Sequence, residues 1–346
     1  MSVAGIAASG VAVRLVQWQR LQGRHDLPWQ GTRDPYRVWL AEVMLQQTQV
    51  STVLRYYSRF LQRFADVQAL AAAPLDDVLA LWSGLGYYGR ARNLHSCAQL
   101  VVSAHGAKFP PDSRSLAMLP GIGRSTAAAI AAFCSGERAA ILDGNVKRVL
   151  TRLLGFEGDL AVAAEERRLW QAAEALLPAR DVDIYTQGLM DLGATVCTAR
   201  RPACERCPWA NDCVARAAGT TERFPVKSRR LKRGQRLNAL LWLRQGESHW
   251  LVQRPPKGVW AGLWSLPEYV DVDALKQAAG GWPGRGEWLP PIHHALTHFD
   301  WTLHPLAWQL PPRAMLPAVG EPGRWVERDQ ALSLGLPAPV RRLLAA

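Results

Sequence analysis

The sequence predicts a mainly α-helical domain over residues 1–222 and a smaller mixed α/β domain over 237–346, joined by a basic connector at 223–236. Three observations predict this. Apolar residues recur at helical spacing through the first part of the chain. Four of the six cysteines crowd between Cys197 and Cys213, where the helical patterning ends. Beyond residue 237 the pattern changes to the two-residue alternation of strands.

Taking the elements in order, Arg14-Leu15-Val16-Gln17-Trp18 reads as helix. Asp34-Pro35 marks a helix start, because Asp34 can cap open amides and Pro35 suits the first helical position. Val50, Val53, Leu54, Tyr57, Phe60, Leu61 and Phe64 share one helical face. Pro74 opens a helix that stops at Gly84, and a longer one runs from about Tyr88 to Gly106. Two more flank Leu119-Pro120-Gly121-Ile122-Gly123, and others cover about 145–154, 165–177 and 183–194. Arg223, Lys227, Arg229, Arg230, Lys232, Arg233 and Arg236 make the connector basic, either as a solvated linker or as a DNA-facing segment. Strands at 237–243 and 250–253 flank Gln245-Gly246-Glu247, a hairpin signal. Phe299, Trp301 and Leu303 alternate with polar residues, as in a half-buried strand.

The chain carries 41 Lys and Arg against 29 Asp and Glu, a net charge of +12. Such an excess favours polyanions, because binding phosphate releases condensed counterions. No run approaches the apolar length of a membrane span, and the N-terminus lacks a secretory pattern. The expectation is a soluble protein of the reducing cytoplasm.

Cys197, Cys204, Cys207 and Cys213 follow the spacing C-x6-C-x2-C-x5-C. Soft thiolates so grouped suit zinc or an iron–sulfur cluster, and the spacing leaves both open. Arg200, Arg201, Arg206 and Arg216 lie among them, solvated or offered to phosphate. Cys97 and Cys134 stand alone in helical patterns and read as packing residues. Leu119-Pro120-Gly121-Ile122-Gly123-Arg124-Ser125-Thr126-Ala127 joins two helices. Its glycines let the backbone approach a ligand, and the open amides of the next helix favour an anion such as one phosphate. An ordinary interhelical turn is the other reading.

Two carboxylates stand out. Glu42 neighbours Val43, Met44 and Leu45, where a carboxyl can be desolvated and kept protonated; it can equally face solvent. Asp143 starts the helix that carries Asn145. A helix N-terminus favours the ionised form, and capping that helix is the alternative role. A protonated acid beside an ionised carboxylate is what cleavage of a glycosidic bond needs.

Together these motifs resemble the MutY-type adenine DNA glycosylases of the helix-hairpin-helix, endonuclease III superfamily. The resemblance covers residues 26–60, 74–95, 116–153 and 186–213. It is carried by Leu27-Pro28-Trp29, Val43-Met44-Leu45-Gln46-Gln47-Thr48-Gln49-Val50, Gly84-Leu85-Gly86-Tyr87-Tyr88 and Ile141-Leu142-Asp143-Gly144-Asn145-Val146-Lys147-Arg148. It implies a [4Fe-4S] cluster on the four cysteines and a DNA phosphate at Gly121, Gly123 and Ser125. It makes Glu42 the acid that protonates adenine N7 and later activates water. Asp143 stabilises the cationic sugar, and Asn145 orients both groups. The target base is flipped; Gln47 and Tyr88 are wedges at the lesion, and Trp29, Gln30 and Leu45 are pocket or lesion contacts. Bifunctional relatives carry a lysine nucleophile two residues after the second hairpin glycine. Ser125 stands there, so the resemblance points to a monofunctional enzyme.

The run from Gln253 to Trp264 resembles the start of the Nudix-like C-terminal domain of that family. Residues 266–281 offer Glu268, Asp271 and Asp273 but no Arg-Glu-x-x-Glu-Glu run, so pyrophosphate hydrolysis is not expected. The domain is expected to inspect the base opposite adenine, 8-oxoguanine in the family. His294-Ala295-Leu296-Thr297-His298 aligns with a loop that usually ends Phe-Ser-His. Thr297 keeps a hydroxyl for the lesion and His298 is retained, whereas Leu296 removes the aromatic ring. The implied partner is double-stranded DNA with an 8-oxoguanine:adenine or guanine:adenine mispair. The protein is expected to act as a monomer, associated with the nucleoid if bacterial.

Overall fold

The computed structural model describes residues 8–228 and 233–345. Helices come first: α1 (Ala8–Gln22), α2 (Pro35–Leu45), α3 (Val50–Arg63), α4 (Val67–Ala72), α5 (Leu75–Trp82), α6 (Gly89–His105), α7 (Ser113–Leu116), α8 (Arg124–Ser135), α9 (Gly144–Leu154), α10 (Ala163–Ala175), α11 (Val182–Thr195) and α12 (Val214–Ala217). Then follow β1 (Gly234–Gln245), β2 (Ser248–Gln253), β3 (Trp264–Ser265), β4 (Glu268–Tyr269), α13 (Val272–Ala279), β5 (Arg285–Trp288), β6 (Ile292–Ala295), β7 (Phe299–Gln309), β8 (Gly323–Glu327), α14 (Arg328–Ser333) and α15 (Ala338–Ala345). Two compact units emerge: residues 8–71 with 96–228, and 72–95 with 233–345. Residues 72–95 thus pack with the later unit, although sequence order places them among the helices. Arg229, Arg230 and Lys232 of the connector lie outside the described residues.

In the first unit, α2 starts where Asp34-Pro35 predicts. The Asp34 carboxylate accepts from Tyr36 N at 2.9 Å, and Pro35 opens the helix. Tyr36, Val38, Trp39, Leu40, Ala41, Val43 and Met44 are buried, each large apolar side chain contributing about 1.5–3 kcal/mol. The run Ala127–Ala132 of α8 is wholly buried, and α2 packs on α8. Small side chains permit that approach. Leu15, Ala128, Val146, Val149, Leu189 and Leu192 join α1, α8, α9 and α11 in one core. This packing gathers the C-terminal end of α2 and the N-termini of α8 and α9. Cys97 is buried and Cys134 half-buried, as fillers should be. No described helix is long and apolar enough to cross a membrane.

The second unit is built on an eight-stranded sheet with the path β3-β2-β1-β7-β5. β1 and β7 pair in parallel from Gly234↔Phe299 to Arg244↔Gln309. β1 begins three residues before position 237, because β7 extends the pairing there. Those first residues are exposed on both faces and leave no hydrophobic alternation to read. Ala239, Leu241, Leu243, Trp250, Val252, Leu275 and Leu306 form the core. The carboxylates noted in the sequence have structural roles. Glu268 is buried between Arg236 and Arg254, 2.6 Å from each. Asp271 caps α13 through Ala274 N at 2.7 Å. Asp76 of α5 accepts from Trp264 Nε1 at 3.1 Å, tying α5 to this unit.

Candidate active site and cysteine loop

The first unit contains a cleft of about 1510 Å³. Its walls are the loop before α2, the end of α2 and the turn after it, the N-termini of α8 and α9, and one face of α11. Glu42, Leu45, Gln47, Trp29, Gln30, Ser125, Asp143 and Asn145 all line it. Arg20, Arg24, Arg33 and Arg148 add positive charge to the same surface.

Glu42 is recessed at the end of α2. Burial, and secondarily the charge of Asp143, pushes its carboxyl up to about 8 from an ordinary value of 4.5. It is therefore mostly protonated at neutral pH. Asp143 is exposed at the head of α9, where its Oδ1 accepts from Val146 N at 2.7 Å. It caps the helix and also acts electrostatically on Glu42. Asn145 Oδ1 accepts from Arg148 Nη2 at 2.9 Å. Arg148 also donates to Gly193 O at 2.7 Å and to Cys197 O at 2.8 Å. A Cβ at Gly193 would lie 2.8 Å from Asn145 Cβ. Only glycine lets α11 come this close to Asn145.

Trp29 is only 8% exposed and meets Tyr57 edge-on, with ring centroids 5.3 Å apart. Gln30 uses both ends of its amide inside its own loop, accepting from Leu27 N at 3.1 Å and donating to Arg24 O at 3.0 Å. It shapes the wall on which Trp29 sits. Arg24 in turn is ion-paired at 2.7 Å with the fully buried Asp191, which also accepts from Gln187 Nε2 at 2.9 Å. Gln187 lines the cleft too, and sequence reasoning missed it. A lone glutamine in an amphipathic helix carries no signal until the fold shows which side faces the cleft. Gln47 is exposed with φ 56°, a left-handed conformation that strains a non-glycine residue.

At the hairpin, Gly121 has φ 77° and Gly123 caps α8 without a side chain. The first amides of α8 are therefore open to an anion. Arg124 is stacked 3.9 Å over Trp170 and paired with Glu174. Ser125 Oγ accepts from Leu142 N at 3.0 Å, stitching the hairpin to the residue before Asp143. Lys147 is ion-paired with Glu166.

Cys197, Cys204, Cys207 and Cys213 line one small apolar cavity with Arg152 and Arg216. Arg152 is 2% exposed. Its guanidinium donates to the carbonyls of Thr221, Thr198 and Ala199 and to Cys197 Sγ at 3.4 Å. A buried cation aimed at a sulfur fits an anionic metal–thiolate centre in that cavity. Burial pushes the Cys207 thiol up to about 12 and raises those of Cys204 and Cys213, so a bound metal must displace protons from these three.

The remaining candidates belong to the second unit. Tyr88 precedes α6 and donates its hydroxyl to Leu336 O at 3.1 Å. Tyr87, which sequence reasoning passed over, is 49% exposed with φ 48°, and its hydroxyl lies 3.1 Å from Thr297 Oγ1. Thr297 and His298 are exposed in the turn between β6 and β7, closed by Leu296 N to Phe299 O at 2.9 Å.

Residues 40–175 match the HhH-GPD superfamily of base excision DNA repair proteins, and 238–346 match a NUDIX domain. Residues 197–213 match the iron–sulfur binding domain of endonuclease III, so the four cysteines form an iron–sulfur loop. The solved structure of a thermostable thymine-DNA glycosylase superposes with a TM-score of 0.56 and 26% identity, over 63% of this chain and 100% of that one. The adenine DNA glycosylase of Homo sapiens is 33% identical, covering 91% of this chain and 70% of its own. That of Buchnera aphidicola subsp. Acyrthosiphon pisum (strain APS) is 33% identical over 337 residues, 95% of each chain. Likeness sustained from the helical unit through the cysteine loop and the sheet places this chain in the adenine DNA glycosylase family.

Proposed function

We propose that the protein removes adenine mispaired with 8-oxoguanine or guanine from duplex DNA, as the first step of base excision repair. The observation that carries this reading is a neutral Glu42 beside Asp143 in one basic-rimmed cleft. Duplex DNA docks one phosphate on the open amides of α8 and others on the basic rim. The adenine leaves the stack and enters the cleft against Leu45 and Trp29. Glu42 gives its proton to adenine N7. The C1′–N9 bond breaks and its electron pair goes to the neutralised purine. Asp143 faces the resulting oxocarbenium sugar with its negative charge. Glu42, now ionised, takes a proton from the water that adds to C1′, which restores the acid and leaves an abasic site.

Ser125 is committed to Leu142 N and Lys147 to Glu166, which supports hydrolysis without a Schiff base. Of the adjacent tyrosines, we assign the lesion contact to Tyr87, working with Thr297 and His298 of the same unit; Tyr88 holds its turn in place. The cysteine loop holds a [4Fe-4S] cluster. Four thiols surround one cavity in a segment that matches an iron–sulfur binding domain, which supports a multi-iron centre over one zinc. The cluster, when bound, supplies a rigid clasp for a loop rich in arginine.

Two experiments test these readings. Alkali-developed strand cleavage is measured on duplexes with adenine opposite 8-oxoguanine, guanine, cytosine or thymine. Excision should be fastest opposite 8-oxoguanine, then guanine, with no covalent adduct trapped by borohydride. Equal rates across the four duplexes would remove the lesion reading, and efficient trapping would restore a lyase. The purified protein should also be yellow-brown, with iron and acid-labile sulfide in equal amounts. A colourless protein containing zinc would refute the cluster.

A further inference from the structure

The turn after α5 is held from outside, and the hold comes from the last part of the chain. Gly84, Gly86 and Tyr87 have φ of 104°, 72° and 48°. A tyrosine in this region is strained and persists only where its surroundings over-determine it. Within the turn, Trp82 Nε1 donates to Gly86 O at 3.1 Å. From outside, the hydroxyls of Ser83 and Tyr88 flank the turn and both donate to Leu336 O at 3.1 Å. Leu336 is fully buried, so its carbonyl is a fixed point. Arg341 of α15 sets that point. Its guanidinium donates to Leu332 O at 2.6 Å, to Leu334 O at 2.7 Å and to Ser83 Oγ at 3.1 Å. Next to Leu336, Gly335 packs so tightly that a Cβ would lie 2.8 Å from Leu79 Cβ.

We propose that Arg341 is a positioning residue for lesion recognition. Through Ser83 and the Leu336 carbonyl it holds the turn, and so fixes Tyr87 in the conformation that meets the base opposite adenine. This inference rests on the reading of Tyr87 and Thr297 as lesion contacts. Three acceptors in different directions call for the planar fork of a guanidinium; an ammonium group reaches fewer of them. Without the clamp, Tyr87 relaxes out of its left-handed conformation and the recognition-competent fraction falls. Glu42 and Asp143 belong to the other unit and keep their chemistry.

The test is single-turnover adenine release from duplexes carrying adenine opposite 8-oxoguanine or opposite guanine. The proteins compared are wild type, R341M, R341K, S83A, Y87A and the R341M/Y87A double variant. R341M should lower the preference for 8-oxoguanine over guanine on the order of tenfold, with the rate opposite guanine held within about twofold. R341K should recover part of the preference, and R341M should add nothing in the Y87A background. S83A, which removes the hydroxyl shared by Arg341 and Leu336 O, should reproduce the R341M effect and carries the test should R341M fail to fold. Equal losses on both duplexes, or independent effects of R341M and Y87A, would overturn the proposal. A wild-type preference that both R341M and S83A leave intact overturns the clamp alone. A wild-type protein with no preference overturns the lesion reading and the clamp with it.

Discussion

Replacing Glu42 with glutamine is expected to leave binding of a lesion duplex intact and to cut single-turnover adenine release by roughly 10²–10⁴-fold, the usual contribution of a general acid–base. The wild-type rate should hold through neutral pH and fall as pH rises through about 8, where burial beside Asp143 places the carboxyl. The same substitution should stabilise the protein in a pH-dependent way. Below an ordinary carboxyl value of 4.5 the group is protonated in both folded and unfolded chains, and the pH-dependent difference is absent. Between there and about 8 the unfolded chain releases a proton that the folded one keeps. Wild-type stability therefore drops with rising pH by about 1.4 kcal/mol per unit, reaching on the order of 3 kcal/mol at pH 7. Glutamine avoids that cost. Denaturant melts of the two proteins at pH 4.5, 7 and 8.5 should diverge in this order, and parallel curves would contradict it.

Asp143→Asn should separate the two duties of that residue. Asparagine caps a helix about as well as aspartate, so the bond to Val146 N is kept and stability should change by less than about 1 kcal/mol. The negative charge proposed to face the sugar is lost. Single-turnover release should fall by on the order of 10²–10³-fold, as when one preorganised electrostatic partner is removed. The surviving activity should lose its rate at lower pH than wild type does, because Asp143 no longer helps to hold the Glu42 proton. Asp143→Ala should lose both duties and unfold more easily by about 1 kcal/mol. An Asn variant with wild-type turnover would leave Asp143 as a cap and nothing more.

Much of this architecture is legible in the sequence where the signal is local. Asp34-Pro35 names the start of α2 because cap and first turn are neighbours. The apolar residues around Glu42 permit a desolvated carboxyl but leave a solvent-facing one open, and the fold decides, setting it beside a partner a hundred residues on. The four cysteines identify their own loop. The losses occur where contacts are distant or patterns are silent. Arg24 and Asp191 form a buried ion pair, yet neither carries a local mark of the other. Arg152 carries no mark in the sequence, and its burial against the cysteine loop emerges only from the fold. In Tyr87-Tyr88 the pattern cannot say which ring the backbone turns outward; that follows from the left-handed φ at Tyr87 and the anchor at Leu336. The first residues of β1 lack alternation because both faces are exposed, and only pairing with β7 reveals them. Residues 72–95 look like one more pair of helices, and their packing against the sheet rests on contacts such as Asp76 with Trp264.

The most direct measurement is the pH titration of the Glu42 side chain itself. Protein with carbon-13 at the glutamate carboxyl carbon would be followed by NMR, with E42Q used to assign the resonance. A midpoint near 8, moving lower in Asp143→Asn, is the predicted result. A midpoint below 5 would show a carboxylate with no proton to give at neutral pH, and the acid assigned to adenine would have to be another group.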